Sequence, residues 1–195
     1  MIKQKEEKNL IVGLDIGTSK IVAIVAELQP DGLLNVIGLG QHSSKGLKKG
    51  VVINIDSTVE AIQRAIEEAE LMANCKITDV YTGIAGSHIK SINSHGMVKI
   101  KDTEVSQLDV DKVIETACAI TLPNDQQVLH ILTQEYVIDG QEDVRQPLGM
   151  SGMKLEVKVH IVTGAIAAAQ NIVKCIKRCG LEVSELVLQP LASSM

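Results

Sequence analysis

Two apolar runs separated by a short polar turn stand near the start of this 195-residue sequence. The first run reads L-I-V-G-L and the second I-V-A-I-V-A, and only D-I-G-T-S-K lies between them. Apolar runs of this length are typical of buried strands. We therefore expect a buried strand, a tight turn and a second buried strand in direct succession, because the spacing leaves no room for a longer connection.

The polar turn brings together side chains that suit a nucleotide phosphate and its metal ion. These are Asp15, Gly17, Thr18, Ser19 and Lys20. Gly17 allows a close approach of the backbone, and successive N–H groups around such a turn form a concave anion site. The two hydroxyls and the lysine add donors and positive charge. Asp15 would hold Mg²⁺ through water, because it would repel a phosphate directly.

An ordinary hairpin is the other interpretation of this turn, because Asp, Gly and Thr are common in tight turns. Three observations favour the phosphate site. The flanking runs place the turn at the end of a sheet, where ligands tend to bind. Lys20 would be a poor choice in a buried strand without an anion to meet. The sequence also contains no phosphate-binding loop of the G-x-x-x-x-G-K-[ST] type.

Composition argues against nucleic acid as a partner. The net charge is −5 and the chain has two Tyr but no Phe or Trp, so it lacks both a basic surplus and a base-stacking platform. The charged N-terminus does not resemble a secretory signal, and no apolar run is long enough to span a membrane. The four scattered cysteines suggest no disulfide framework, so we expect a reducing cytoplasmic location.

Two residue pairs could in principle bind a metal ion. Cys175 and Cys179 share a helix face, and His130 and His160 fall on strands that we expect to be neighbours. Neither pair has further ligands at a suitable spacing. Buried thiols and ordinary strand histidines are therefore the preferred interpretation.

The first and last parts of the sequence predict one α/β lobe. A third strand is expected at 33–39, then a helix capped by Ser57 and Glu60, then a strand at 77–85. Near the end, a helix at 165–179 and a strand at 183–188 follow the same pattern. No closing element is expected after that strand, so we expect the sequence to be part of a longer protein.

The middle of the sequence, residues 87–163, predicts a small α+β unit that interrupts the lobe. A hairpin is expected at 89–100, turning at 93–96, and a helix begins at Ser106. Extended segments at 128–139 and 155–161 follow, and the latter alternates apolar and polar residues. The predicted fold class is thus α/β, a mixed sheet with flanking helices, interrupted by an α+β subdomain.

At this level of detail the sequence resembles a known family. The L-D-I-G-T-S-K turn is similar to the first phosphate loop of actin, sugar kinases and seventy-kilodalton heat-shock proteins. Further segments resemble the bacterial cell-division FtsA family, in the version found in Gram-negative bacteria. They are Met1–Lys3, Leu10–Lys20, Pro30–Gly32, Ala61–Ile66, Ala69–Ala73, Gln134–Tyr136, Gly149–Gly152, Val159–His160 and Leu191–Ser194.

This resemblance implies an actin-like lobe, subdomain 1A, at residues 1–86 and 164–195, and an inserted subdomain 1C at 87–163. It implies an ATP-binding protein that polymerises on the cytoplasmic face of the inner membrane. Such a protein tethers the FtsZ ring and recruits later division proteins, with the cytoplasmic tail of FtsN docking on subdomain 1C. Asp15 would hold Mg²⁺ through water, and Gly17, Thr18, Ser19 and Lys20 would bind the ATP phosphates.

The resemblance also implies that important regions of the family lie beyond Met195. These are the second phosphate loop, the adenosine-binding glycines, subdomains 2A and 2B, and the amphipathic membrane helix. FtsZ binding and membrane anchoring belong to those regions. We therefore expect this chain alone to bind ATP weakly or not at all and to be inactive as an enzyme. We predict no catalytic residue within it, and the family has at most weak ATPase activity.

Two alternative functions share parts of this pattern. A sugar or acetate kinase has the same first loop and needs a base carboxylate, for which Asp139, Glu142 and Asp143 could be considered. These three acids cluster in a loop-like run, where a solvated turn is the preferred interpretation. A pilus-assembly adaptor of similar shape is the other alternative.

Overall fold

The computed structural model describes residues 9–194 of the chain. Met1–Lys3 and the charged N-terminus, on which part of the sequence interpretation rests, lie outside the described residues. Contacts divide the chain into two units. The first comprises the chain up to His88 and the segment from Ala167, and the second comprises Ile89–Ile166. The predicted boundaries, 86/87 and 163/164, lie close to these positions, and the names 1A and 1C stay predictions.

Eleven strands and four helices are present in the described part of the chain. In chain order they are β1 (Leu10–Ile16), β2 (Lys20–Leu28), β3 (Leu34–Ser43), β4 (Leu47–Lys48), β5 (Val51–Val52), α1 (Ile55–Ala73), β6 (Asp79–Ile84), β7 (Lys90–Lys99), α2 (Gln107–Cys118), β8 (Gln126–Ile138), β9 (Gln141–Val144), β10 (Lys154–Ala165), α3 (Ile166–Arg178), β11 (Glu182–Leu188) and α4 (Gln189–Ala192). No helix among these residues is both long enough and apolar enough to span a membrane.

The first unit is built on a five-stranded mixed sheet of order β11-β6-β1-β2-β3. β1, β2 and β3 form an antiparallel meander, whereas β6 runs parallel to both β1 and β11. The short strands β4 and β5 form a separate hairpin. This arrangement puts the turn between β1 and β2 at one end of two central strands.

In the described part of the chain, the long helix α1 packs on one face of this sheet, whereas the short helix α4 lies beside the other, more open face. Alternate residues of β1 and β2 are buried on the α1 face, including Leu14 and Ile21, whereas Gly13, Asp15 and Ile24 are exposed on the other. The prediction that both strands are buried was therefore wrong for one face. Both runs carry mainly apolar residues on the two faces of the strand. The sequence therefore lacks the alternation of apolar and polar residues that would have revealed the exposed face.

Two glycines let α1 lie directly on the edge strand β3. A Cβ at Gly38 would come 2.7 Å from the Ala69 oxygen, and a Cβ at Gly40 would come 2.7 Å from the Ala69 nitrogen. The helix begins after Asn54, whose side chain accepts a hydrogen bond from the Ser57 N–H at 2.9 Å. The predicted Ser57 cap was wrong, because Asn54 is an equally good cap three residues earlier.

The helix α3 packs on α1 through its buried side. Cys175 and Ile176 are fully buried, and the Cys179 thiol donates to the Val59 oxygen at 3.6 Å. At the end of α3, Arg178 pairs with Asp56 at 2.8 Å. After β11 the chain continues into the short helix α4, an element that the sequence interpretation did not expect.

The second unit is a four-stranded antiparallel sheet of order β7-β10-β8-β9 with α2 on one face. Four residues of β10 that alternate along the strand are fully buried under α2, namely Leu155, Val157, Val159 and Ile161. The helix begins at Ser106, as predicted, with a capping box in which the Ser106 oxygen accepts from the Asp109 N–H and the Asp109 carboxylate accepts from the Ser106 N–H.

The predicted hairpin at 89–100 was wrong, because Lys90–Lys99 is one continuous strand. The residues Asn93 to Gly96 favour a turn locally, but here Gly96 has another role. A Cβ at this position would come 2.6 Å from the Ala117 nitrogen of α2. The glycine therefore permits helix packing on a straight strand.

Candidate functional site

The turn between β1 and β2 is tight and needs glycine at its first position. The Gly17 N–H donates to the Lys20 carbonyl at 3.1 Å, which closes the turn. A Cβ at Gly17 would lie 2.8 Å from that same oxygen, so any larger residue would push the turn open. Because the Gly17 N–H is used inside the turn, the backbone donors that remain for an anion are those of Thr18 and Ser19.

The β4–β5 hairpin and the residue that follows β3 support the turn from outside. The Thr18 hydroxyl oxygen accepts a hydrogen bond from the Gly50 N–H at 3.2 Å, and the Ser44 N–H donates to the Ser19 carbonyl at 3.0 Å. Gly50, at the tip of the β4–β5 hairpin, has a φ of +77°, which favours glycine. The Thr18 hydroxyl proton stays available for a ligand, since the hydroxyl only accepts in this contact.

Asp15 lies on the open face of the sheet, one residue before the end of β1. Its carboxylate accepts a hydrogen bond from the Gln189 side-chain amide of α4. Partial burial raises the pKa of Asp15 above its ordinary value, and the nearby Lys20 ammonium opposes that rise. The carboxylate is thus held in place by an amide, next to a positive charge.

Gly83 of β6 makes room for this hydrogen bond. A Cβ at Gly83 would lie 2.5 Å from the Gln189 Cγ. The neighbouring Thr82 hydroxyl donates to the Leu14 carbonyl at 3.0 Å and ties β6 to β1. The residues that position Asp15 therefore come from three separate stretches of the sequence.

A cleft of about 430 Å³ lies beside Asp15 on the open face of the sheet. Its walls come from β1, β2, β6, β11 and α4, and its other lining residues include Gly13, Ile24, Tyr81 and Gln189. Among the predicted site residues, Asp15 lines this cleft. Gly17, Thr18, Ser19 and Lys20 lie in the adjoining turn, and Lys20 points to the same sheet face as Asp15 according to the strand alternation.

The sequence interpretation missed Gly13, Tyr81, Gly83 and Gln189. Gly13 and Gly83 are glycines inside strands, and at Gly83 this marks the close approach of another segment. Gln189 precedes Pro190 at the start of α4, but nothing in its local sequence indicates a contact with Asp15. That contact joins residues far apart in the chain.

The donor set fits a hydrated magnesium ion and a phosphate. Asp15 offers hard carboxylate oxygens, which Mg²⁺ prefers, and Lys20 and the Thr18 and Ser19 N–H groups offer positive partners for an anion. Within residues 9–194, no group of three or more His, Cys, Asp or Glu side chains could hold a metal ion. A magnesium ion at Asp15 would therefore depend on water and phosphate oxygens for its other ligands.

The acidic run considered for a kinase lies in the second unit and has structural partners. The Asp139 carboxylate accepts from the Met153 and Lys154 N–H groups, both at 2.9 Å, and Asp139 itself has a φ of +48° in the β8–β9 turn. Glu142 pairs with Lys158 at 3.3 Å. Nearby, the His160 Nδ1 lies 2.6 Å from the Asn93 side-chain oxygen.

A solved structure shares the fold of this chain. The chain resembles a solved PilM–PilN type IV pilus biogenesis complex with a TM-score of 0.63 and 16% sequence identity, over 93% of this chain and 48% of that one. At this identity the likeness concerns the fold alone. The mixed sheet with flanking helices agrees with the predicted fold class.

Sequence comparisons then give the proteins to which this chain is similar. Residues 86–163 match the family described as the SHS2 domain inserted in FtsA. The chain is 60% identical over 185 residues to the cell division protein FtsA of Pseudomonas aeruginosa, covering 95% of this chain and 44% of that protein. It is 47% identical over 194 residues to FtsA of Escherichia coli K12, covering 100% of this chain and 46% of that protein.

The predicted resemblance to the N-terminal portion of FtsA is thereby confirmed. The chain spans less than half the length of these curated relatives. Both relatives are named as cell division proteins.

Proposed function

We propose that this chain forms the first lobe of an actin-like cell-division protein that binds Mg-ATP and polymerises on the inner face of the cytoplasmic membrane. There it tethers the FtsZ ring and recruits later division proteins. One observation carries this proposal. In a chain 60% identical to an FtsA, the Asp15 carboxylate is held by the Gln189 side-chain amide and lies next to a turn whose groups can donate hydrogen bonds to a phosphate. Any ATPase activity of the whole protein is weak.

In this proposal each site residue has a separate task. Asp15 holds the magnesium ion through water, and the ion neutralises phosphate charge when bound. Gly17 lets the turn close, Thr18 and Ser19 donate to the phosphates, and Lys20 supplies a positive charge. Gln189 is a positioning residue, because its amide fixes the Asp15 carboxylate on the open face.

The partners in this proposal fall on different parts of the protein. Residues 87–163 receive the cytoplasmic tail of FtsN and contribute contacts to the filament. FtsZ and the membrane are reached through regions that the longer relatives possess beyond the length of this chain. The assignment of these partners rests on the similarity to FtsA.

The two alternative functions have less support. Two of the three acids considered for a sugar or acetate kinase have structural partners in the second unit: Asp139 accepts from backbone N–H groups, and Glu142 pairs with Lys158. The pilus-assembly adaptor is supported by fold likeness at 16% identity, which is far below the identity to the FtsA proteins. A phosphoryl-transfer assay with small acceptors separates the kinase from the main proposal.

A chimeric protein tests the proposal in cells. The chimera joins this chain to the remaining C-terminal part of Pseudomonas aeruginosa FtsA and is expressed in Pseudomonas aeruginosa cells depleted of FtsA. We expect the chimera to restore division, and we expect Asp15→Ala to abolish that restoration because the magnesium ligand is lost. The purified chimera should bind Mg-ATP, and Asp15→Ala should weaken that binding by at least about tenfold, since several charge-assisted contacts depend on the ion.

Asp31→Ala is the matched control, because it removes an exposed carboxylate from the β2–β3 turn of the same unit. This variant should restore division as well as the unaltered chimera. Full restoration by Asp15→Ala would contradict the nucleotide role. A chimera that binds Mg-ATP but fails in division would contradict the cell-division role and leave the site assignment standing. Binding of an FtsN-tail peptide to the second unit separates the proposal from the pilus adaptor.

A further inference from the structure

The strand β7 presents a long, regular and unpaired edge. All ten of its residues pair with β10 without any interruption of register. β7 is the first strand in the sheet order, so its other side faces away from the sheet. In the described part of the chain, no hydrogen bond from another segment reaches the backbone on that side. Such an edge is a template for an additional strand.

The other long edges of the two sheets are protected. On β3, the N–H groups of Leu39 and Gln41 donate to the Met72 Sδ at 3.3 Å and to a Glu68 carboxylate oxygen at 2.8 Å. β11 has a register shift between Val183 and Glu185, which disturbs its ladder. β8 has two register shifts and is partly covered by β9. Bulges and covering side chains are ways in which proteins block edge pairing.

An apolar recess lies beside the C-terminal half of β7. It has a volume of about 290 Å³ and is lined by Met97, Val98, Lys99, Met153 and Lys154. Met97 is 55% exposed and Met153 is 70% exposed. Methionines adapt their shape to different apolar partners. The recess therefore offers a place for one apolar side chain of an added strand.

The charge along β7 has one sign. Residues 89–101 contain three lysines and no acidic residue, although the whole chain has a net charge of −5. Lys90 and Lys99 stand at the two ends of the strand, are exposed, and form no ion pair within the described residues. On the neighbouring β10, Glu156 is already paired with Lys154 at 2.6 Å, and Lys158 with Glu135 at 2.7 Å.

We propose that β7 binds an extended partner segment that adds to the sheet as a fifth strand, with acidic residues at both ends and an apolar residue in the methionine recess. Backbone hydrogen bonds would supply affinity, and the recess and lysines would supply specificity. A second copy of this chain fits the edge poorly. Antiparallel pairing of two β7 strands would bring Lys99 of one copy beside Lys90 of the other at both ends. This inference does not depend on the nucleotide proposal.

Peptide probes test the proposal on the whole 195-residue chain. The first probe is a labelled ten-residue peptide of alternating Thr and Val with two Glu at each end, and the second replaces every Glu by Lys. We expect fluorescence anisotropy to show at least about tenfold tighter binding of the acidic probe than of the lysine probe. The acidic probe forms two attractive charge pairs with Lys90 and Lys99, whereas the lysine probe is repelled at both positions. Hydrogen exchange should slow at β7 amides when the acidic probe is added.

Backbone pairing is tested with two further versions of the acidic probe, each N-methylated on one of the two alternating sets of amides. Strand addition requires at least one version to lose binding, because one set must face β7. Charge recognition is tested with the double variant Lys90→Glu and Lys99→Glu, which should bind the acidic probe about tenfold more weakly. The matched control, Lys45→Glu with Lys48→Glu, has the same charge change in the first unit and should bind normally.

Four outcomes would overturn the proposal. They are no binding of the acidic probe, equal binding of the lysine probe, retained binding by both N-methylated versions, and slowed exchange outside β7. Self-association of the chain in sedimentation experiments, if relieved by the Lys90→Glu and Lys99→Glu variant, would show that a second copy occupies the edge instead. The methylated probes need no variant, so misfolding of a variant cannot obscure the result.

Discussion

Single glycines determine how closely the backbone segments of this protein approach each other. Gly17 closes the β1–β2 turn, Gly83 admits the Gln189 side chain, and Gly40 and Gly96 let helices lie directly on strands. At each of these positions a Cβ would overlap a backbone or side-chain atom. At the site, Gly17 and Gly83 contribute because they have no side chain.

We predict that Gly40→Ala destabilises the chain by about 1–3 kcal/mol, the usual cost of overpacking a tight interface. The added methyl group would overlap backbone atoms of α1, which cannot move away as a flexible side chain could. Urea unfolding followed by circular dichroism measures the change. Gly13→Ala is the control, since a Cβ there would meet no atom within 4 Å, and equal midpoints for the two variants would contradict the prediction.

The protonation of Asp15 gives a second prediction at this scale. Burial raises the pKa of Asp15 and Lys20 lowers it, so Lys20→Met should raise the pKa further. Titration of the carboxyl carbons by NMR measures both values. Lys45→Met, in a loop of the same unit, is the control and should leave the pKa of Asp15 unchanged. A pKa of Asp15 that does not respond to Lys20→Met would show that the ammonium lies away from the carboxylate.

Among the secondary-structure elements, those with strong local signals were predictable and those defined by distant partners were not. The Ser106 capping box specified the start of α2, and the alternation of β10 specified its buried face. In contrast, residues 93–96 favour a turn by composition, yet they lie within β7 because α2 packs over Gly96. Pairing with β10 along the whole strand outweighed the local preference.

The candidate site likewise has features that the sequence could predict and features that it could not. The turn from Asp15 to Lys20 could be located because its residues are adjacent and flanked by apolar runs. The contribution of Gln189 could not be predicted, because its contact with Asp15 depends on β11 joining the sheet next to β6. The open face of β1 and β2 was missed as well, since Val22 and Ile24 of β2 look like core residues in the sequence.

The cap of α2 gives a prediction with a definite dependence on pH. Hydrogen bonds from Ser106 hold the pKa of Asp109 below its ordinary value, so the ionised carboxylate stabilises the folded state. Ser106→Ala should cost about 1 kcal/mol at pH 7. A lowered folded-state pKa contributes stability above the unfolded pKa, so the difference should shrink as the pH falls below about 4.

Urea unfolding of Ser106→Ala and the native chain at pH 7 and at pH 3 measures this dependence. Thr116→Ala serves as the control, because its exposed hydroxyl bonds only within α2, to the Lys112 carbonyl at 2.8 Å. The control should change stability by less than about 0.5 kcal/mol at either pH. A loss in Ser106→Ala that is the same at both pH values would assign the effect to the hydroxyl alone and not to Asp109.

The chain taken as a whole provides one wall of the proposed nucleotide site. Asp15, the turn and Lys20 would contact the metal ion and phosphates, while no adenosine site has been assigned to this chain. We therefore predict that the 195-residue chain binds Mg-ATP weakly or not at all, whereas the chimera with the FtsA C-terminal part binds it. Isothermal titration calorimetry of both proteins measures the difference. Micromolar affinity of the short chain would contradict the prediction.

The two ends of this sequence build one sheet, and this has a consequence for the order of events on the ribosome. β6 leaves the exit tunnel long before β11, its parallel neighbour on the outer side. Until β11 emerges, β6 is a bare flank of the nascent sheet, while the second unit between them already has all of its strands. Synthesis at about 5–20 residues per second leaves several seconds in which that flank could pair wrongly. The strand β6 is therefore open to wrong pairing from the time it emerges until β11 follows.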